Sequence, residues 1–319
     1  MKARNWWLYL GIAGFLGYIP SLPGELRLLN LLFLTPLVRA ALRRISGPRQ
    51  IEDSSAPAQP PLSPAAGGMA LFMARLIAAQ ALMFVVPSML RQIIAQYRGE
   101  TTARPRAVDN PAHYQQKARY RLPFDGQWYV YNGGVTQPTS HSWDIIGQRY
   151  AYDFVAVDGQ LRRWRTDGAA AADYLCYDRP ILAPAAGEVV AVVDGVRDAP
   201  GVGTGWVDVF TRHFPGNTVT IRHADEEYSY LAHLRPGSIC VRAGERVERG
   251  QEIGRCGNSG HSSEPHLHFH VQDRGAFFGA ASLPVAFDCV SVNDAPPQNS
   301  VYIVRQSVVN HSQCSEGSP

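Results

Sequence analysis

The sequence predicts a mainly β, antiparallel domain of sandwich or barrel-like build, preceded by transmembrane α-helices. Three observations carry that expectation. The first hundred or so residues hold long uncharged apolar runs. From about residue 126 onward the chain changes to short β-rich runs punctuated by glycine and proline. No segment after residue 100 keeps a helical hydrophobic period for three turns. A chain of 319 residues has room for about two domains. We read residues 1–98 as a membrane region with two or three transmembrane segments and a Pro-rich linker. Residues 99–125 are then a juxtamembrane connector, 126–300 the β domain, and 301–319 a C-terminal tail.

Charge supports the division. The whole chain carries a formal +3, with 45% hydrophobic and 18% charged residues, which excludes a disordered polyelectrolyte. Residues 1–98 contain ten Lys+Arg against three Asp+Glu, a balance of +7, and residues 99–319 contain twenty against twenty-four, a balance of −4. The basic excess thus sits in the most apolar third, a sign of membrane topology and not of a nucleic-acid footprint.

Residues 6–24 are uncharged and long enough to cross a bilayer core, and no small-x-small cleavage site comes after them. Residues 28–38 are uncharged but only eleven in number, too short alone to span, so the run either extends past Arg39 through Ala40–Leu42 or forms the return half of a hairpin. Residues 65–90 form a third candidate span, interrupted by Arg75, and residues 47–68 are a Pro/Ala/Ser-rich linker. Lys2 and Arg4 precede the first run, and Arg39, Arg43, Arg44 and Arg49 come after the second. By the positive-inside rule both clusters are cytoplasmic, so the third segment exports the chain beyond about Arg91. The expected location is the cell membrane, multi-pass, with the β domain extracytoplasmic. All five cysteines (Cys176, Cys240, Cys256, Cys289 and Cys314) lie in the exported part, where an oxidising compartment allows two disulfides and one free thiol. No CxxC pair occurs.

Four runs in the C-terminal two thirds read as strands: 188–193, 217–223, 228–234 and 264–272. Residues 181–193 with 243–254 look like the halves of a biotinyl or lipoyl carrier barrel. That cofactor is attached through a lysine amine, and the chain has no lysine beyond Lys117. The carrier reading therefore fails on chemistry.

Histidine concentrates the remaining signal. His266, His268 and His270 alternate with Leu267, Phe269 and Val271, so on a strand the three imidazoles share one face about 7 Å apart at the backbone. Two of them can converge on one ion, or one can bind while its neighbour acts on water. The plainer alternative is a polar strand face of solvated histidines.

The stretch GNSGHSSEPHLHFHV at 257–271, YLAHL at 230–234 and PILAPAAGEVV at 180–190 together resemble the lysostaphin-type (LytM-like) zinc endopeptidases, in the right order over roughly residues 140–273. The resemblance implies a catalytic domain of that fold, a Zn2+ cofactor and peptidoglycan peptides as substrate. It makes His268 a zinc ligand and places His266 and His233 beside the attacking water. The family's first ligand pair, HxxxD, is displaced here. His141 has Ile145 at the required position and Asp144 one residue early, while Asp153 in RYAYDFVAV has the β context of the family's aspartate. We take His141, Asp153 and His268 as the metal ligands, with Asp144 the rival, a longer loop between His141 and Asp153, and an insertion at about 158–178. His270 stands where the family usually has glutamate, a place suited to hydrogen bonding behind the metal. Two histidines and one carboxylate leave a tetrahedral zinc one open position, which marks catalytic zinc, and such zinc brings bound water to a pKa of about 7. His233 and His266 can then serve as proton acceptor and oxyanion donor. His113, His213, His223, His261 and His311 are left to packing or surface roles. The expected function is a membrane-anchored zinc endopeptidase acting on peptidoglycan. The rival is a non-catalytic module of the same fold that binds or activates a cell-wall hydrolase, and a third reading is a membrane scaffold whose histidines bind metal adventitiously.

Overall fold

The computed structural model describes residues 68–312, apart from position 84. Two helices open this part, α1 (Gly68–Leu82) and α2 (Pro87–Ala103). Twelve strands come next: β1 (Gln127–Asn132), β2 (Tyr152–Val155), β3 (Pro180–Leu182), β4 (Gly187–Val193), β5 (Asn217–Ala224), β6 (Glu227–Leu234), β7 (Arg246–Val247), β8 (Glu252–Arg255), β9 (Leu267–Gln272), β10 (Ser282–Leu283), β11 (Val290–Val292) and β12 (Val308–His311). Among the described residues only short 3-10 turns interrupt the β region.

The four strands expected from the sequence correspond to β4, β5, β6 and β9. All four are rich in β-branched or aromatic residues, and in β9 apolar and polar residues alternate, the pattern of a pleated surface packed on a core. They join a ten-stranded antiparallel sheet in the order β11-β12-β1-β2-β9-β6-β5-β4-β7, with β10 also paired to β9, and β3 and β8 make a separate two-stranded sheet. One face of the large sheet buries a single aromatic and aliphatic core that includes Tyr120, Phe124, Trp128, Phe154, Phe269 and Phe287. Phe124 stacks on Trp128 with ring centroids 4.4 Å apart and meets Phe154 edge-on at 4.9 Å. Fully burying such a ring contributes about 1.5–3 kcal/mol relative to leaving it exposed. This core holds β9 in the middle of the sheet, between β2 and β6.

Two expectations are corrected. The stretch 65–90 is not one continuous segment: α1 ends at Leu82, and α2 begins at Pro87 in its first turn, with Val86 in an extended conformation as its N-cap. Proline has no N–H to donate and its ring clashes with the preceding helical turn, so a helix arriving from the N-terminal side stops before it. Ala79 and Met89 are buried against Val207 and Val209, and the Gln92 amide contacts Thr211 and Phe214. No described helix is long and apolar enough to cross a membrane. The candidate spans at 6–24 and 28–38, and the linker up to residue 67, lie outside the described residues. The second correction concerns residues 301–319. Val308–His311 is not tail but strand β12, which pairs with both β1 and β11. Val309 is fully buried, so the sheet is incomplete without it. Cys289 is disulfide-bonded, and Cys176, Cys240 and Cys256 are free thiols.

Candidate active site

Cross-strand register builds the site. In the β2/β9 pair Asp153 stands directly opposite His268, and in the β6/β9 pair Ala232 does, which brings His233 in from the other side. The sequence motif placed His268 on a strand face. Pairing across 115 residues supplies its carboxylate neighbour.

Asp153 is the hub. Its Oδ1 lies 3.0 Å from His268 Nδ1 and 3.8 Å from His266 Nε2, and its Oδ2 lies 3.5 Å from His141 Nε2. Asn132 on β1 donates its side-chain amide to the same Oδ2 at 3.0 Å. Burial, the largest influence, opposes ionisation of Asp153. The surrounding imidazoles, His141 first among them, outweigh it together and hold the carboxyl well below its usual range. Asp144 is exposed and takes no part in this group.

His141 reaches the hub from a long loop between β1 and β2. Gly133 and Gly134 turn the chain with φ of 128° and 149°, and a Cβ on Gly133 would collide with the Tyr152 ring. Ser140 and Ser142 then donate their hydroxyls to Arg149 O and Gln148 O, closing the loop over β2. This loop is the physical origin of the eleven-residue spacing between His141 and Asp153. His141 lies at the rim with its side chain 34% exposed, and its pKa is lowered, first by burial.

His233 and His266 face each other with ring centroids 4.7 Å apart, and His233 lies 6.0 Å from the His268 ring. His233 has a left-handed backbone (φ 60°), an arrangement that costs a non-glycine residue about 1–3 kcal/mol and that turns its ring inward at the end of β6. Its Nδ1 donates to Ser259 O at 2.8 Å, and His266 Nδ1 donates to Glu264 O at 2.8 Å. Since a neutral imidazole has one N–H, both rings present an Nε2 lone pair to the site. Burial, then the neighbouring His266 and His268, lower the His233 pKa well below its ordinary value. Ser259 O is held in place by a close backbone approach: a Cβ on Gly260 would collide with Gly216 N.

The insertion at 158–178 also braces this region. Arg163 is buried and pairs with Glu264 at 2.8 Å, and Cys176 Sγ donates to Pro265 O at 3.1 Å. Both contacts grip the turn that leads into His266. Sequence reasoning missed Asn132, Ser259 and Arg163, because each acts through a contact distant in the chain. Gln272 was legible in principle, being the next residue after His268 and His270 on the same face of β9.

Among the described residues no group of three or more His, Cys, Asp or Glu side chains is arranged to hold a metal ion. The chemistry of the donor set around Asp153 is nevertheless that of a metal site. Ligands about 2.0–2.1 Å from a tetrahedral ion lie about 3.3 Å from each other. His268 Nδ1 lies 3.0 Å from Asp153 Oδ1 and His141 Nε2 lies 3.5 Å from Asp153 Oδ2, each pair near that value. One carboxylate and two imidazoles are borderline donors suited to a first-row divalent ion.

The acidic side of the stability profile comes from the same burial. His261 and His270 are pushed down to about 4 and about 3, chiefly by burial. Their unfolded-state value is about 6.5, so below that pH the unfolded chain binds more protons than the folded one, and stability falls as pH falls. The Tm of the metal-free chain should drop steadily between about pH 6.5 and pH 4. A Tm independent of pH across that window would contradict the assignment of these two groups as buried and neutral.

Comparison with known proteins points to a peptidase family. Residues 170–278 match Peptidase family M23. That stretch takes in His233, His266 and His268 and begins beyond His141 and Asp153. The chain is 33% identical over 172 residues to the peptidoglycan DD-endopeptidase ShyA of Vibrio cholerae, covering 51% of this chain and 34% of that protein. It is 35% identical over 112 residues to the peptidoglycan DD-endopeptidase ShyB of the same organism, covering 34% of this chain and 25% of that one. The chain thus spans about a third or less of the length of these curated relatives. Among solved structures it is similar to a zinc-containing peptidase from Vibrio cholerae, with 23% identity, 53% of this chain and 41% of that chain covered, and a TM-score of 0.32.

Proposed function

We propose that this protein is a membrane-anchored, zinc-dependent endopeptidase that hydrolyses peptide bonds of peptidoglycan. The observation that carries the reading is the convergence of His141, Asp153 and His268 on one side and of the two Nε2 atoms of His233 and His266 on the other. His141, Asp153 and His268 would hold the ion. Zinc bound there supplies Lewis acidity to the scissile carbonyl and acidifies the attacking water. His233, kept uncharged by its surroundings, accepts the proton that water loses, and its hydrogen bond to Ser259 O steadies the resulting imidazolium. His266 Nε2 shares the same approach, 3.8 Å from the Asp153 carboxylate, and the proton that His233 takes from water is returned to the leaving amine as the peptide bond breaks. Peptidoglycan as substrate is supported by the activities for which ShyA and ShyB are named, and a rival non-catalytic module would lack one or more of the metal positions, for each of which this chain has a candidate side chain.

Two measurements test this reading. Purified peptidoglycan incubated with the full chain should release cross-linked fragments cut at a peptide bond. A chelator should stop the release and added zinc restore it. Intact peptide cross-links under all conditions would overturn the proposal. For the anchor, a reporter active only outside the cytoplasm should be active when fused after Arg98, and its silence there would remove the domain from the wall.

A further inference from the structure

Strand β9 carries a polar line of which the proposed reaction uses only His268. His268, His270 and Gln272 lie at alternate positions and so on one face, and His270 and Gln272 are both fully buried. Polar groups in a core of this kind are costly unless every hydrogen bond is made. Here each one is made, and its direction can be deduced from the far end. Gln272 Nε2 lies 2.7 Å from Arg274 O and 3.4 Å from Ala276 O. Carbonyl oxygens only accept, so the amide nitrogen must face them and Oε1 must face the other way. Oε1 is 2.9 Å from His270 Nε2, and it too only accepts, so His270 carries its hydrogen on Nε2. His270 packs against the rings of Tyr230 and Phe277, at 5.3 and 6.3 Å between centroids, and among the described residues no carboxylate touches it. A neutral ring with hydrogen on Nε2 has a bare Nδ1. That atom is 3.1 Å from His268 Nε2, which must therefore be the donor.

We propose that His270 and Gln272 are positioning residues, forming a one-way hydrogen-bond relay from His268 to the Arg274 carbonyl that keeps the hydrogen of His268 on Nε2 and leaves Nδ1 bare toward Asp153. This rests on the metal-site reading above and deepens it. The geometry at the other end agrees. His268 Nδ1 and Asp153 Oδ1 are 3.0 Å apart, and a bare nitrogen facing a carboxylate oxygen is repulsive until a cation lies against both. Without the relay, the ring would simply move its hydrogen to Nδ1 and bond to Asp153, closing the place meant for the ion. The relay thus keeps a ligand pair apart in charge and available to metal, and it fixes the plane of the His268 ring.

The test uses the full chain and two readouts. In the metal-free protein, labelled with 15N-histidine and held at pH 8, His268 Nε2 should carry hydrogen. In His270→Phe, which keeps the ring volume and removes the acceptor, the hydrogen should move to Nδ1. Zinc affinity, measured by competition with a chromophoric chelator, should fall about 10–100-fold in His270→Phe. Gln272→Met should weaken zinc in the same direction by less. His270→Glu places a carboxylate acceptor near the same N–H and should hold zinc close to the wild-type affinity. If His270→Phe does not fold, as Tm will reveal, the Gln272→Met shift and the wild-type spectrum decide the matter. A wild-type His268 with a bare Nε2, or unchanged zinc affinity in both cutting variants, overturns the relay. A wild-type chain that binds no zinc at all overturns the metal site itself, and the spectrum of the metal-free chain still reads the relay separately.

Discussion

Asp153→Ala should abolish stoichiometric zinc binding and peptidoglycan cleavage together, and Asp144→Ala should leave both near wild type. The contrast is large because the two aspartates, nine positions apart, occupy opposite environments. Asp153 is buried, lies opposite His268 across the β2/β9 ladder, and is within 4 Å of His141, His266 and His268. Removing its carboxylate takes away the negative charge that these three imidazoles share and leaves an ion with two neutral ligands. Asp144 is exposed in the loop, with its carboxylate in water. His268→Ala should match Asp153→Ala, because it removes the ligand on the strand itself. Equilibrium dialysis with metal analysis reads the binding, and release of peptidoglycan fragments reads the activity. If Asp144→Ala loses zinc while Asp153→Ala retains it, the ligand set is wrong.

His233→Ala and His266→Ala should behave in the opposite way, keeping zinc and losing rate. Neither ring is asked to hold the ion. Both present Nε2 to the space beside it, with Nδ1 tied to a backbone carbonyl at 2.8 Å. Loss of a positioned acid–base group typically costs about 10²–10⁴-fold in rate, about 3–5 kcal/mol in barrier. His233→Ala has a second consequence. Alanine at φ 60° retains the strain of the left-handed backbone and loses the bond to Ser259 O, so its Tm should also fall. His266→Ala, in an unstrained position, separates the chemical loss from the structural one. Single-turnover rates on peptidoglycan, with zinc content measured on the same samples, check both. Full activity in either variant removes that residue from the mechanism.

How much of this was legible in the chain differs by residue. HLHFH alternates with period two, and the pleat of a strand turns that alternation into a shared face for His268 and His270 without further information. The runs that became β4, β5, β6 and β9 announce themselves by local composition, because strand formation rewards branched and aromatic residues wherever a core awaits them. The absence of lysine beyond Lys117 excludes a carrier domain by chemistry alone. What local pattern cannot carry is partnership. Asp144 and Asp153 are equally acidic, and the choice between them as neighbour of His268 comes from the register of two strands more than a hundred residues apart. The same holds for Val308–His311, too short to read as a strand until β1 and β11 bond to it from both sides. Residues 65–90 have the apolar length of a span, yet Pro87 divides them, and Ala79 and Met89 are buried against Val207 and Val209. The direction of the relay behind His268 depends on Arg274 O and Ala276 O, carbonyls with no signature in the sequence. Residue chemistry and periodicity are local and were determined by the sequence alone. Register, burial and hydrogen-bond direction are set by contacts distant in the chain, and only the tertiary structure decided them.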